Sequence, residues 1–458
     1  MAGWTLLDEL VEKEVVQRRQ EGCEVEGFAE RVAAAGKDEA QLMAIYQELM
    51  ALPIRTDFPF EEPSELSEIR ALRPDGPRVL QDSLSESEWQ DKFYGAWLGR
   101  SAGCALGKPL EAWHYMAGAG GNPGWLNVKH WFEGADAWPI QGYTPSQSRA
   151  EQEHGLSLAT GGMLSTKERI RFMETDDDIR YTVLGLITLE KHGLDFDSYD
   201  IGKLWHSHLA YRQVCTAETQ AYMNFTQATS HQKSLRDDWA QRKDWVRTYL
   251  NPYREWIGAQ IRADGFAYGA AGNPELAADL AWRDASFSHV KNGIYGEMFC
   301  AAMIAAAFVE SDPERIVRIG LSEIPRNCRL THDIEQAISI TKEAGSQLEL
   351  VERIWEAFKH YHPVHTNNNA ALVAASILFA KGDFETAIAT SVLGGWDTDC
   401  NGATVGSIMG AMLGASKIPS KWIEPLNDTL YAEVTGFHPI SISECAKRTH
   451  DVFRKIRG

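Results

Sequence analysis

The sequence lacks the marks of several large protein classes. Its seven cysteines include no CxxC pair, so a zinc–thiolate site is not indicated. They show no paired spacing, their number is odd, and the opening MAGWTLLDELVEKEVVQRRQ has no apolar leader core. The expectation is reduced thiols in a cytoplasmic setting. No apolar run is long enough to cross a bilayer; the longest extends from Met298 to Val309. No concentrated basic footprint appears, and a net charge of −19 argues against a general nucleic-acid surface. A small phosphorylated ligand stays open, because metals and backbone amides can supply local positive potential. Strand-like alternation is scarce, and tandem repeats and low-complexity tracts are absent.

What remains is an ordinary globular composition, 458 residues with 44% hydrophobic and 24% charged, and it is dominated by helix signals. Residues 4–50 place Leu6, Leu7, Leu10, Val11 and Val15 on roughly one helical face. Residues 51–88 break that pattern with Pro53, Pro59, Pro63, Pro74 and Pro77 among Glu61, Glu62, Glu65 and Glu68. The division expected is an accessory helical segment (1–50), a Pro/Glu-rich connector (51–88) and a large helical domain (89–458). Runs at 179–191, 297–310, 333–343, 369–380 and 402–415 are Ala- and Leu-rich. Residues 112–172, with Trp113, Trp125, Trp131 and Trp138, lack periodicity and read as an ordered cover over a site. The aromatics of residues 205–256 read as ordinary packing.

Two glycine series recur every four residues: Gly95, Gly99, Gly103, Gly107 and Gly402, Gly406, Gly410, Gly414. On helices each forms one stripe, and each interior glycine costs roughly 0.5–1 kcal/mol relative to alanine. Close helix–helix approach is the first explanation, and a face pressed against a ligand the second. Both stripes lie beside motifs rich in carboxylates or glycine. Glu174-Thr175-Asp176-Asp177-Asp178 leads into an apolar helix; one or two acids would serve the helix dipole, so three aspartates exceed that need. Gly394-Gly395-Trp396-Asp397-Thr398-Asp399 opens a second helix. Carboxylate, hydroxyl and carbonyl oxygens in two such clusters suit a hard cation such as Mg²⁺, Mn²⁺ or Ca²⁺.

At these residues the chain resembles the ADP-ribosylglycohydrolase family, which includes dinitrogenase reductase-activating glycohydrolase. Gly95-Ala-Trp-Leu-Gly99-Arg-Ser-Ala-Gly103-Cys-Ala-Leu-Gly107-Lys-Pro109-Leu-Glu111 is similar to the family's opening helix ending in GDALGxPxE. Thr175-Asp176-Asp177 is similar to its TDDT, and Gly394 to Gly414 to its GGDTDT with a small-residue helix. Ser288-His289-Val-Lys-Asn292-Gly293-Ile-Tyr295-Gly296 is similar to a segment lining the ligand pocket. The resemblance implies an all-α orthogonal helical bundle with two divalent cations, usually Mg²⁺, held by Thr175, Asp176, Asp177, Asp397 and Asp399. It implies metal-dependent cleavage of an ADP-ribosyl N- or O-glycosidic bond, releasing ADP-ribose from a small-molecule or ADP-ribosylated substrate. Asp176, Asp177 and Glu111 are the catalytic candidates. Glu111, His289, Asn292, Gly293, Tyr295 and His365 are the substrate-binding candidates, with helix capping the default for His365.

Four residues depart from the pattern: Cys104 for Asp, Cys400 for Thr, Asp178 for the last Thr of TDDT, and Trp396 between the glycine pair and Asp397. A thiol is a poor exchange for an oxygen donor at a hard Mg²⁺ site, so these changes mark a divergent member. His206 and His208 lack a third ligand of matching type and read as structural. Two further classes stay open: an N-ribosyl hydrolase acting on a nucleoside, nucleotide or ribosylated metabolite, and a silent binding protein that keeps only the fold. Oligomeric state is not legible.

Overall fold

A computed structural model describes residues 5–229 and 236–458. Residues 230–235, within the aromatic stretch expected as packing, lie outside the described residues. The architecture is an all-helical bundle, and among the described residues the one strand pair is Thr429–Leu430 against Ile440–Ser441. No helix among the described residues is long and apolar enough to cross a membrane. The apolar run from Met298 instead falls mostly in the helix Lys291–Ala307, which is buried on all sides from Asn292 onward. A helix apolar around its whole circumference needs neighbours on every face, and this one is central.

The glycine stripes explain how the centre closes. Helix Glu86–Gly107 starts at a capping box between Ser85 and Glu88. It runs antiparallel to helix Thr398–Leu413, with Gly95 at Gly410 and Gly107 at Thr398. A Cβ at Gly99 would overlap the carbonyl oxygen of Gly406, and one at Gly103 that of Gly402. The two backbones touch, so the stripes serve helix–helix approach. The contact also brings Gly107, where the first motif ends, against Thr398 of the second: the Thr398 hydroxyl donates to the Gly107 carbonyl at 2.9 Å.

The N-terminal segment forms three helices, Leu7–Gln20, Phe28–Ala35 and Glu39–Ala51, around a small core of its own that includes Val11, Val15, Leu42 and Leu49. Stretch 51–88 is mostly non-helical but carries helix Leu66–Leu72. It is pinned along the bundle, with Arg329 donating to Glu62, Lys243 to Glu65, and the Tyr295 hydroxyl to the Pro63 carbonyl. The aperiodic region 112–172 is ordered into short pieces, among them helix Gly124–Gly134. Trp131 is a core residue there, whereas Trp113 is 61% exposed.

Candidate active site

A cavity of about 450 Å³ opens where the two motif helices meet the N-terminal segment. Its carboxylates are Glu9, Glu111, Asp177, Glu218 and Asp397; Cys215 and Cys400 add thiols, and Trp113, Trp256 and His362 add rings. Another cavity, of about 670 Å³ near Asp312 and Lys381, contains none of the motif residues.

The carboxylates arise from the two helix starts. Asp176 is the N-cap of helix Asp177–His192 and accepts from the Asp178 backbone N–H at 3.0 Å. Its other oxygen accepts from the Lys108 ammonium at 2.5 Å, and Lys108 also donates to the Thr175 carbonyl at 2.8 Å. Burial alone would raise the Asp176 carboxyl; the Lys108 charge and hydrogen bond overcome this and bring it down to about 2. Asp177, the next residue, is pushed up to about 7 by burial and by the charge of Asp176. Asp178 is fully buried against the Arg100 guanidinium at 3.2 Å, but Arg100 also serves Asp264 at 2.7 Å. With one cation shared between two acids, burial wins and the Asp178 carboxyl stays well above the usual range.

The second helix start is turned by Gly395 (φ +74°) and Trp396 (φ +57°). A side chain on Gly395 would press on the Tyr115 carbonyl, which fixes glycine there. The inserted Trp396 is buried in a stack on Trp355, centroids 5.2 Å apart. It aims Asp397 and Asp399 inward, where burial and neighbouring acids push both carboxyls up. Glu111 meets the cavity solvent but is enclosed by protein beside Asp397, Asp176 and Asp177, and its carboxyl is raised as well.

These positions test whether a cation fits. Among the described residues, Asp177, Asp397, Asp399 and Glu111 form no ion pair with Lys or Arg, and Asp397 Oδ1, Asp399 Oδ1 and Asp178 Oδ2 are buried without a hydrogen-bond partner. Donor atoms of Asp397, Asp399 and Cys400 lie within 4.8 Å of one another, as do those of Cys104, Asp176, Asp178 and Asp399. Orphaned carboxylate oxygens crowded at that spacing suit a divalent cation. The second group is less open, because Lys108 already holds Asp176 and Arg100 holds Asp178. Burial pushes the Cys104 and Cys400 thiols up, so both are neutral, weak donors.

The structure brings Asp176, Asp177, Asp397, Asp399 and Glu111 together and leaves the other candidates apart. The Thr175 hydroxyl accepts from Arg180 at 3.0 Å, and its carbonyl accepts from Lys108 at 2.8 Å. His289, Asn292, Gly293, Tyr295 and His365 do not line the cavity. His289 shares a hydrogen bond with Ser288 and is kept neutral by burial. Asn292 joins Glu255 to the Leu330 backbone, and His365 caps helix Thr366–Ala380. His206 contacts Thr226 and stacks edgewise on Tyr222, as a structural side chain would. Sequence reading missed Lys108 and Arg100, although two basic residues in the first glycine-striped motif were a visible signal. It also missed Lys13, Glu218, Trp256 and His362, for which spacing offered none.

Fold and site together define an all-helical protein with a carboxylate-lined pocket between two N-capped helix starts. The chain belongs to the ADP-ribosylglycohydrolase family, whose sequence profile matches residues 85–454. Membership points to glycosidic-bond hydrolysis. No curated protein matches the sequence. Among solved structures, one described as an "ADP-ribosylglycohydrolase-related protein complex" is similar at 20% identity and a TM-score of 0.43, over 80% of this chain and 99% of that one.

Proposed function

We propose that this protein is a metal-dependent hydrolase that releases ADP-ribose from an ADP-ribosylated N- or O-linked acceptor. The observation that carries this reading is the set of cavity-lining acids Glu111, Asp177 and Asp397 which, like the buried Asp399, form no ion pair with Lys or Arg among the described residues, together with the orphaned carboxylate oxygens of Asp397 and Asp399. Asp397 and Asp399 would hold a divalent ion, Mg²⁺ first, with Mn²⁺ or Ca²⁺ as the alternatives. Such an ion supplies charge that orients the ribose hydroxyls and polarises the sugar.

The remaining work falls to this chain's own groups. Hydrolysis breaks the bond from the anomeric carbon to the leaving atom; a water oxygen bonds to that carbon and the leaving atom takes up a proton. Glu111, at the cavity wall with its carboxyl raised by burial and by Asp397, would be the acid that protonates the leaving atom. Asp177, titrating near neutrality, can take the proton from water. Asp176 stays ionised under Lys108 and does not line the cavity, so we assign it to positioning rather than proton transfer.

The test is ADP-ribose release from ADP-ribosylated arginine, serine and nucleobases, with Mg²⁺, Mn²⁺ or chelator. Metal-dependent release that falls at least a hundredfold in Glu111→Gln is the expected result. Release of ribose or ribose phosphate from a nucleoside or nucleotide, with no ADP-ribose from any acceptor, would replace this reading with an N-ribosyl hydrolase.

A further inference from the structure

The family match begins at residue 85, yet the cavity wall does not. Thr5, Glu9 and Lys13 line it, four residues apart, so the helix Leu7–Gln20 turns one face toward the pocket. That helix is held in place. The Arg254 guanidinium donates to Glu14 at 2.8 and 2.9 Å and to Glu21 at 3.0 Å, all three side chains buried. Leu10 packs with Tyr253 and Trp256, and Trp256 is itself a cavity residue.

Lys13 is the one lining residue with a fixed positive charge. It is half-buried and makes no ion pair or hydrogen bond with the described residues, not even with Glu9 one turn earlier. Beside it, His362 lies flat on Trp256, centroids 4.0 Å apart and planes 14° from parallel. Burial, with the Lys13 charge, brings His362 down to about 4, so the ring is neutral at physiological pH. The pocket therefore has two unlike ends: acids without a basic side chain at the motif helices, and Lys13, unpaired one turn from Glu9, with flat rings at the N-terminal helix.

We infer that residues 5–13 form a subsite of the substrate cavity and that Lys13 binds an anionic, phosphate-bearing part of the substrate. This rests on the functional reading above and adds a specificity determinant from outside the family's matched region. An ammonium left unpaired in a pocket rich in acids is positioned for a ligand that brings the opposite charge. A charge-assisted hydrogen bond contributes about 1.5–3 kcal/mol, roughly ten- to a hundredfold in affinity.

The experiment is calorimetric titration of the full-length chain with ADP-ribose in Mg²⁺, comparing wild type with Lys13→Ala, Lys13→Glu and Lys13→Arg. Lys13→Ala should weaken binding about ten- to a hundredfold, Lys13→Glu further, and Lys13→Arg only a few-fold. Melting temperatures should stay at the wild-type value, since Lys13 has no partner to lose. In turnover, Lys13→Ala should raise KM and leave kcat near wild type. Wild-type affinity in all three variants overturns the assignment and leaves the hydrolase reading intact. No ADP-ribose binding by the wild-type chain overturns the ADP-ribosyl reading and this assignment with it.

Discussion

The cavity has two walls built by opposite means. The inner wall is carried by the helices that lead to Glu111 and from Asp397, which pack backbone against backbone, with no room for a side chain, where Gly99 meets Gly406 and Gly103 meets Gly402. The outer wall, where the Leu7–Gln20 helix meets Trp256, is fastened by buried ions: Arg254 with Glu14 and Glu21, and Arg329 with Glu255 and Glu62. Close packing fixes positions to a fraction of an ångström, as acids that share a cation require. A wall held by charge pairs can change its exposed face without disturbing the acids, as a specificity surface requires.

The largest effect should come from breaking the inner wall. Gly406→Val must push two backbones apart, and we expect overpacking of 3 kcal/mol or more and loss of the folded chain, read by circular dichroism and melting. Next comes the outer wall. Arg254→Met leaves Glu14 buried without a counter-ion and Glu21 with only Arg18 and Lys291, at a cost of about 3 kcal/mol. Hydrogen exchange should show the Leu7–Gln20 amides losing protection while those of Thr398–Leu413 keep theirs. That result sharpens the comparison; equal loss in both helices would break it.

Acid should also separate the walls. Burial pushes His362 down to about 4 and His365 to about 3, and both stand by the outer wall. Their folded values lie below the unfolded value near 6.5. Stability is therefore full above that value and lost as pH falls toward the folded values, by up to about 2 kcal/mol per histidine at pH 5. Denaturant unfolding at pH 7 and pH 5 measures this, and His362→Gln should reduce the slope. The smallest effect is expected at Asp399. Asp399→Asn removes a carboxyl whose charged form burial, Glu111 and Asp176 disfavour, and should raise the melting temperature of the metal-free chain slightly at about pH 7.5.

The two walls also differ in how far the sequence disclosed them. The inner wall was legible because its parts are local: glycines at a spacing of four, and aspartates at the first residues of two helices. Helix periodicity made the helical content legible, while the all-α bundle was what the family resemblance implied. The stripes' partner was legible only as a type of contact, since four-residue spacing says that a helix is approached and not by what. The outer wall joins Arg254 to Glu14, 240 residues apart, and no periodicity encodes such a pair. Trp256 and His362 meet for the same reason. The third aspartate, Asp178, was one acid more than a helix start needs; the structure sets it in a buried contact with Arg100 at 3.2 Å, a partner that spacing does not encode. Trp396 looked like an interruption of a glycine–aspartate motif, and the left-handed turn with its stack on Trp355 shows it to be the device that aims Asp397.

The most direct test of the account is calorimetric titration of Mg²⁺ and Mn²⁺ into the wild-type chain and into the Asp397→Asn/Asp399→Asn double variant, without substrate. The account predicts saturable divalent binding by wild type, a higher melting temperature on binding, and loss of both in a double variant that still folds. Wild type that binds neither ion, or a double variant that binds as wild type does, would contradict it.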